Sequence, residues 1–223
     1  MNLLAIELSS RVGSLAILSD ATVRAECELA EEDRRSRGLF RVLPDLCDRA
    51  GIGLDDLDLL APGRGPGSYT GLRLAMTVAQ AVALPASRTV YPVDSGEALA
   101  WEIMQSRKND VVAVIGDARR ERLWLGVFEQ GNDGPMMRQP WAVLHPRDVP
   151  RWVPDGALAV SSDWSLLAAR PEFEALRTLR WIESDRFPRA RWLGALAETR
   201  HRHGAPAAPP TPIYMHPAVT PRA

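Results

Sequence analysis

The pattern of apolar and polar positions divides this chain of 223 residues into segments with different periods. Short apolar runs near the start are separated by turn-forming residues, which is typical of β-strands joined by tight turns. The turn-rich span Ser9 to Gly13 separates the first two runs and suits a hairpin. We therefore predict a hairpin and a third antiparallel strand, over Leu3 to Leu8, Ser14 to Leu18 and Thr22 to Leu29.

The period changes at Leu39, where apolar residues begin to recur at helical spacing. Gly51 and Gly53 end the first helical segment, and Pro85 stops a second one that starts near Gly71. Short strands and a third helix complete this part of the chain. The predicted elements are helices over Leu39 to Ala50, Gly71 to Leu84 and Ser95 to Gln105, and strands over Asp58 to Ala61 and Thr89 to Val93.

A polar break from Ser106 to Asp110 is the best candidate for a boundary between two lobes. The tail from Gly204 is rich in Pro and Ala, so we expect it to be extended or disordered. The domain prediction is a first lobe over 1–106, a second lobe over 107–205 and a Pro-rich tail over 206–223. The elements predicted beyond the break are strands over Val111 to Ile115, Leu123 to Phe128 and Leu158 to Ser161, and a helix over Arg191 to His203.

Composition narrows the class of protein. Hydrophobic residues make up 46% of the chain and charged residues 25%, as in ordinary globular domains. The formal net charge of −1 argues against a stand-alone tRNA binder, and no apolar run approaches the roughly 20 residues of a membrane span. Two cysteines form neither a disulfide framework nor a metal cluster, and Glu7 interrupts the first apolar run too early for a signal peptide. We expect a cytoplasmic protein with no metal and no membrane contact.

The most informative stretch is a loop rich in Gly and Pro that runs from Gly63 into the second helix. Such a loop lets a ligand or another backbone approach closely, and the helix start offers free N–H groups to an anion. The Lys of a phosphate-binding P-loop is absent, and the glycine spacing does not fit a dinucleotide fingerprint. An anion site, a partner contact and a tight strand-to-helix turn all remain open. The candidate residues are Gly65, Gly67, Ser68, Tyr69, Thr70, Gly71 and Arg73, with Ser68 or Thr70 as the helix cap.

Four segments of the chain resemble one known family. Gly65 to Arg73 is similar over nine consecutive residues to the glycine motif of the TsaB family, formerly called YeaZ. Weaker similarity extends to three further segments, namely Leu4 to Ser10, Asp117 to Arg120 and Pro212 to Met215. The resemblance implies an α/β protein of the actin-like ATPase (ribonuclease H-like) fold, with two lobes of which the second is smaller and degraded.

The resemblance also implies a function. TsaB-type proteins are non-catalytic scaffold subunits that pair with a TsaD-type catalytic subunit and a TsaE-type ATPase to place threonylcarbamoyl on an adenosine in tRNA. The implied partners are these two proteins and a second copy of the chain as a homodimer, with tRNA reached only through the complex. No cofactor is implied to be required, and weak ATP or ADP binding stays open.

The chain departs from the family pattern at its first hairpin and near its end. Glu7 stands where the family usually has Asp, so that Glu7, Ser9 and Ser10 form a degraded version of the hairpin that active relatives use to hold phosphate. The usual His early in the first long helix has no counterpart, and His216 stands where an Arg is expected.

The first two helices carry more apolar and small residues than one narrow stripe requires. Small residues allow another helix to approach closely, so we favour a helical interface with a partner over a pure core role. The predicted interface residues are Leu39, Leu43, Leu46, Leu72, Ala75, Met76 and Ala79.

Two other functions compete with the scaffold. An independent actin-like phosphotransferase or ATPase would need a pair of carboxylates, for which Glu7 and Asp117 are the obvious candidates. A peptidase would need a metal motif or a nucleophile elbow. His201 and His203, two residues apart on a predicted helix, face different directions and make a poor metal pair, and no Gly-x-Ser-x-Gly elbow exists.

Overall fold

Two five-stranded sheets form the framework of the protein. The structure, a computed structural model, describes residues 1–30 and 36–215. The strands are β1 (Asn2–Glu7), β2 (Gly13–Ser19), β3 (Thr22–Leu29), β4 (Leu59–Pro62), β5 (Thr89–Val90), β6 (Val111–Arg119), β7 (Arg122–Gly131), β8 (Gly134–Leu144), β9 (Leu158–Val160) and β10 (Arg180–Trp181). The helices are α1 (Ser36–Ala50), α2 (Tyr69–Ala83), α3 (Ser95–Arg107), α4 (Val149–Trp152), α5 (Trp164–Ala168) and α6 (Ala190–Arg202).

The two sheets have the same topology. The first has the order β3-β2-β1-β4-β5, and the second has the order β8-β7-β6-β9-β10 when read from the corresponding edge. In each, the first three strands are antiparallel neighbours, and the fourth and fifth run parallel to the first. The first strand pairs with the fourth in both sheets, with Leu3 opposite Leu59 in the first and Val112 opposite Leu158 in the second. The second half of the chain therefore repeats the architecture of the first.

The helices form layers around these sheets. Helices α1 and α2 cover one face of the first sheet, and α6 covers the other with Leu193 and Leu196 against Leu3 and Leu18. Helix α3 packs on the second sheet, where Leu99 joins the core built by β6 and β7. Since α3 contacts α6, these two helices lie between the sheets and tie the lobes together. Within residues 1–30 and 36–215, no helix is both long and apolar enough to cross a membrane.

The second lobe has shorter helices than the first, but its sheet is not smaller. Strands β6, β7 and β8 contain 9, 10 and 11 residues, compared with 6, 7 and 8 in β1, β2 and β3. The helices α4 and α5 contain only 4 and 5 residues, whereas α1 and α2 contain 15 each. The division of the chain at residue 106 stays a prediction, because α3 packs on the second sheet and α6 on the first.

Most elements predicted from periodicity are confirmed to within a few residues, including the three opening strands and the three long helices of the first half. Strand β8 was missed because it is an edge strand, with Pro135 and Pro140 interrupting its pattern. The segment from Gly204 to Met215 forms neither a helix nor a strand. His216 lies outside the described residues.

The predicted helical interface is wrong for the residues chosen. All seven are buried within the single chain and belong to its core, most of them packed against β1, β2 and β4. They are Leu39, Leu43, Leu46, Leu72, Ala75, Met76 and Ala79. The stripe is apolar because the first sheet covers it, and no surface of these side chains is left for a partner.

Candidate binding cleft between the lobes

The topological repeat brings two pairs of loops to a common cleft. In each lobe these loops follow the first and the fourth strand of the sheet. The open space between them is about 790 Å³. Its lining residues are Ser9, Ser10, Arg11, Gly67, Ser68, Asp117, Arg119, Trp124, Ser162, Asp163 and Leu166.

The glycine loop approaches the β1–β2 turn at backbone level. The Ser68 amide donates to the Ser9 carbonyl at 2.6 Å, and a Cβ at Gly71 would collide with the Leu8 carbonyl oxygen. Ser68 is the helix cap, since its Oγ accepts from the Gly71 amide at 3.3 Å, and α2 begins at Tyr69. Gly65 has a φ of +103°, which disfavours any other residue. The tight strand-to-helix turn is therefore present, and an anion at this loop stays a prediction.

Glu7 does not face the cleft. Its carboxyl is fully buried, accepts from the Ser9 amide at 2.5 Å, and lies against Gly63 and Ser95, where a Cβ on Gly63 would collide with it. Its Oε2 has no hydrogen-bond partner. Burial raises the pKa of Glu7, with hydrogen bonds from Ser9 and Ser95 opposing the rise. The longer side chain thus serves as a packing and hydrogen-bonding group behind the loop.

Asp117 occupies the corresponding region of the second lobe and is held by an ion pair. Arg170 contacts it through two nitrogens, at 3.2 and 2.8 Å, and the Arg119 amide donates to it at 2.9 Å. Burial would raise the pKa of Asp117, but the hydrogen bonds from Arg170 and Arg119 outweigh burial and lower it. The residue is therefore an ionised carboxylate whose oxygens are already engaged.

Asp163 is a second carboxyl of the cleft. It follows β9 and accepts from the Asp117 amide at 3.2 Å, while its own amide donates to Ser161 Oγ at 2.9 Å. Burial raises its pKa. Asp163 and Arg170 were missed in the sequence, although the position of Asp163 after the fourth strand of its sheet matches that of the glycine loop. Only recognition of the topological repeat could have revealed this equivalence.

This arrangement limits the chemistry of the cleft. Glu7 and Asp117, the carboxylate pair of the competing enzyme hypothesis, are not brought together at one reaction centre, because Glu7 points behind the loop and Asp117 is bound by Arg170. Ser9, Ser10, Ser68 and Ser162 are the serines of the cleft lining. No group of three or more His, Cys, Asp or Glu in residues 1–30 and 36–215 is arranged to hold a metal ion.

The C-terminal motif lies against the glycine loop. The Ile213 amide donates to the Arg64 carbonyl at 2.7 Å, and the Tyr214 ring lies 5.0 Å from the Tyr69 ring. Tyr69 and Arg73 do not line the cleft and are exposed at the surface. The sequence contained both motifs but no signal that they meet.

Two lobes of identical strand order that face each other across a cleft define an α/β protein built from two repeated units. The solved structure of YeaZ from Pseudomonas aeruginosa superimposes with a TM-score of 0.80 at 26% identity, covering 96% of this chain and 99% of that one. The structure of this chain is thus similar to that of YeaZ over nearly its whole length.

Sequence comparison agrees with the structural match. TsaB from Escherichia coli is 32% identical over 136 residues, which is 60% of this chain and 58% of that protein. TsaB from Bacillus subtilis is 30% identical over 133 residues, or 59% of this chain and 57% of that protein. The matched region thus spans less than two thirds of these relatives. The family model described as "TsaD: tRNA N6-adenosine threonylcarbamoyltransferase" matches residues 30–134.

Proposed function

We propose that this protein is a non-catalytic scaffold subunit in the synthesis of threonylcarbamoyladenosine in tRNA, and that its main partner is a TsaD-type catalytic subunit. The observation that carries this proposal is the likeness to YeaZ along 96% of the chain, combined with sequence relatives named as tRNA threonylcarbamoyladenosine biosynthesis proteins. A TsaE-type ATPase and a second copy of the chain are further proposed partners, and tRNA is reached through the complex.

The geometry of the cleft supports a scaffold role. A catalytic carboxylate must reach the reacting group, but Glu7 is enclosed behind the glycine loop and Asp117 is neutralised by Arg170. We therefore propose that the isolated protein has no transferase or hydrolase activity and that any nucleotide binds weakly.

The outward faces of α1 and α2 replace the buried stripe as the proposed partner surface. Phe40 on α1 is 54% exposed, and Leu84, just after α2, is 78% exposed. Large apolar side chains in such positions favour association. On α2 the exposed Ala81 lies near the buried Ala79, which provides a matched pair of sites for substitution.

Ala79→Glu should unfold the protein, since it places a charge in the core, whereas Ala81→Glu should leave folding intact and weaken association. Light scattering and titration with the TsaD-type subunit measure both effects. A folded Ala81→Glu variant that dimerises and binds the partner normally would place the interface elsewhere.

Complementation tests the function itself. The gene is expressed, together with its TsaD-type partner, in Escherichia coli depleted of its own TsaB, and threonylcarbamoyladenosine in bulk tRNA is measured by mass spectrometry. We expect the modification to be restored by the wild type and by Glu7→Gln. Stable expression of the pair without any modified tRNA would contradict the proposal.

An independent ATPase is the second candidate, favoured only by the cleft of about 790 Å³ between the lobes. Steady-state ATP hydrolysis by pure protein distinguishes it. Robust turnover that is lost in Asp163→Asn would support the enzyme and reject the scaffold.

A further inference from the structure

The last described segment of the chain forms a strap across the first lobe. The strap, Gly204 to Met215, leaves the end of α6 and runs back to the glycine loop. Near its start the Tyr91 hydroxyl donates to the Ala205 carbonyl at 3.2 Å, and near its end Ile213 donates to the Arg64 carbonyl at 2.7 Å. The strap is therefore anchored at both ends.

The strap completes a surface cluster at the start of α2. Its Tyr214 ring lies 5.0 Å from the ring of Tyr69, with 32° between the ring planes. Arg73 also contacts Tyr69. Its guanidinium carbon is 5.3 Å from the Tyr69 ring centre, and its Nη1 donates to the Tyr69 hydroxyl at 2.5 Å. Tyr69 is 54% exposed and Tyr214 is 45% exposed. The cluster is thus ordered by mutual contacts and open to solvent.

Arg73 differs from exposed arginines that have carboxylate partners, such as Arg177 with Glu174 at 3.0 Å. Within residues 1–30 and 36–215, no carboxylate lies within ion-pair distance of Arg73, whose partner is instead the Tyr69 side chain. A guanidinium has five N–H donors, and the bond to Tyr69 uses only one of them. Because Arg73 is exposed, a carboxylate of another molecule can accept two of the remaining donors together.

We propose that Arg73, Tyr69 and Tyr214 form a recognition site for a carboxylate-bearing segment of a protein partner, which under the proposed function is the TsaD-type subunit. Tyr and Arg are, with Trp, the residues enriched among side chains that dominate binding energy at protein interfaces. RNA is the less suitable occupant, because phosphate backbones are bound by several cations and this cluster presents one. In this site Arg73 binds the carboxylate. Tyr214 positions Arg73 indirectly, because it packs against Tyr69, which contacts Arg73.

The test compares variants of the full chain in titrations against the purified TsaD-type subunit at low and high salt. Arg73→Met should weaken binding about tenfold and reduce its salt dependence, and Arg73→Lys should recover part of the loss. Tyr214→Ala should give an intermediate loss, and Tyr214→Phe should bind like the wild type, since the ring contact is kept. Arg177→Met, which removes an exposed arginine in the second lobe, is the matched control and should have no effect.

Three results would overturn the inference. If Arg73→Met binds the subunit with wild-type affinity and salt dependence, Arg73 does not contact the partner. If Arg73→Met loses only affinity for tRNA in the assembled complex, the cluster binds RNA. If the wild type itself does not bind the subunit, the proposed function fails and this site fails with it, an outcome distinct from the first. Melting curves of each variant show whether it is folded. If Arg73→Met does not fold, Arg73→Lys is compared with the wild type instead.

Discussion

The two lobes have the same strand order but are stabilised differently where the loops after their first and fourth strands meet. We call this region the corner of each lobe, around Glu7 and Gly63 in the first and around Asp117 and Asp163 in the second. In the first lobe the corner is closed, with Glu7 buried against Gly63 and the helix α2 pressed against the β1–β2 turn. In the second lobe the corner is open and charged, with Asp117 bound by Arg170. One topology can therefore be stabilised by close backbone packing or by an ion pair, and in the second lobe the paired carboxylate of Asp117 itself lines the cleft.

The largest effect should come from filling the closed corner. Gly71→Ala places a methyl group on the Leu8 carbonyl oxygen, so α2 must move away from β1 at a cost of about 3 kcal/mol or more. Gly156→Ala in the second lobe is the control, because nothing lies within 4 Å of its added carbon and only its φ of +79° opposes the change. Urea unfolding measures the loss of stability in both variants. Equal losses would show that the closed corner is not tightly packed.

Breaking the ion pair of the open corner should have the next largest effect. Arg170→Met leaves Asp117 largely buried without its main partner, and we expect a loss of about 2 kcal/mol in the free energy of unfolding. Adding Asp117→Asn should recover part of this loss, because the uncompensated charge is then removed. A double variant that is no more stable than Arg170→Met alone would show that the pair is not coupled.

The two corners should respond to pH in opposite directions. The pKa of Glu7 is raised by burial, so its contribution to stability is present at low pH and declines as pH rises from its ordinary pKa through the raised value. The pKa of Asp117 is lowered, so its contribution is present above the ordinary pKa and is lost as pH falls through the lowered value.

Glu7→Gln should therefore raise the free energy of unfolding at neutral pH, by about 1.4 kcal/mol for each tenfold change in the proton affinity of Glu7 on folding. It should also remove the decline in stability that the wild type shows above the ordinary pKa of a glutamate. Asp117→Asn should instead flatten the loss in acid. Melting temperatures of the three proteins across the acid and neutral range provide the measurement. A Glu7→Gln variant that is less stable than wild type at neutral pH would mean that the carboxylate is ionised and needed.

The smallest effect concerns the cap of α2 in the closed corner. Ser68→Ala removes the acceptor of the Gly71 amide and should cost about 1 kcal/mol, while Ser68→Asn should cost little. Thr70→Ala is the control, since Thr70 lies inside the helix as an exposed residue. If Thr70→Ala is the more costly change, the helix is capped elsewhere.

Local chemistry explains which of these features the sequence determined. Short apolar runs predicted the first two strands and alternation predicted the third, while the spacing of Leu39, Leu43 and Leu46 predicted the first helix, because each pattern reflects the faces of one element. A cap at Ser68 or Thr70 was predicted for the same reason, since a cap bonds to the backbone three residues away, and the structure shows that Ser68 is the cap. The composition of the glycine loop likewise predicted a close approach by a ligand or another backbone, and the structure shows the backbone of Leu8 against Gly71.

Tertiary structure decided what covers each face and which distant residues meet. The stripe through Leu72, Ala75 and Ala79 is equally compatible with a partner and with the protein's own sheet, and only the position of β4 beneath α2 assigned it to the core. Tyr214 meets Tyr69, and Arg170 meets Asp117, across long sequence separations that no local period encodes. Periodicity reports on one element at a time, whereas pairing between elements depends on how the whole chain folds. For this reason periodicity could not reveal that the two sheets have the same strand order.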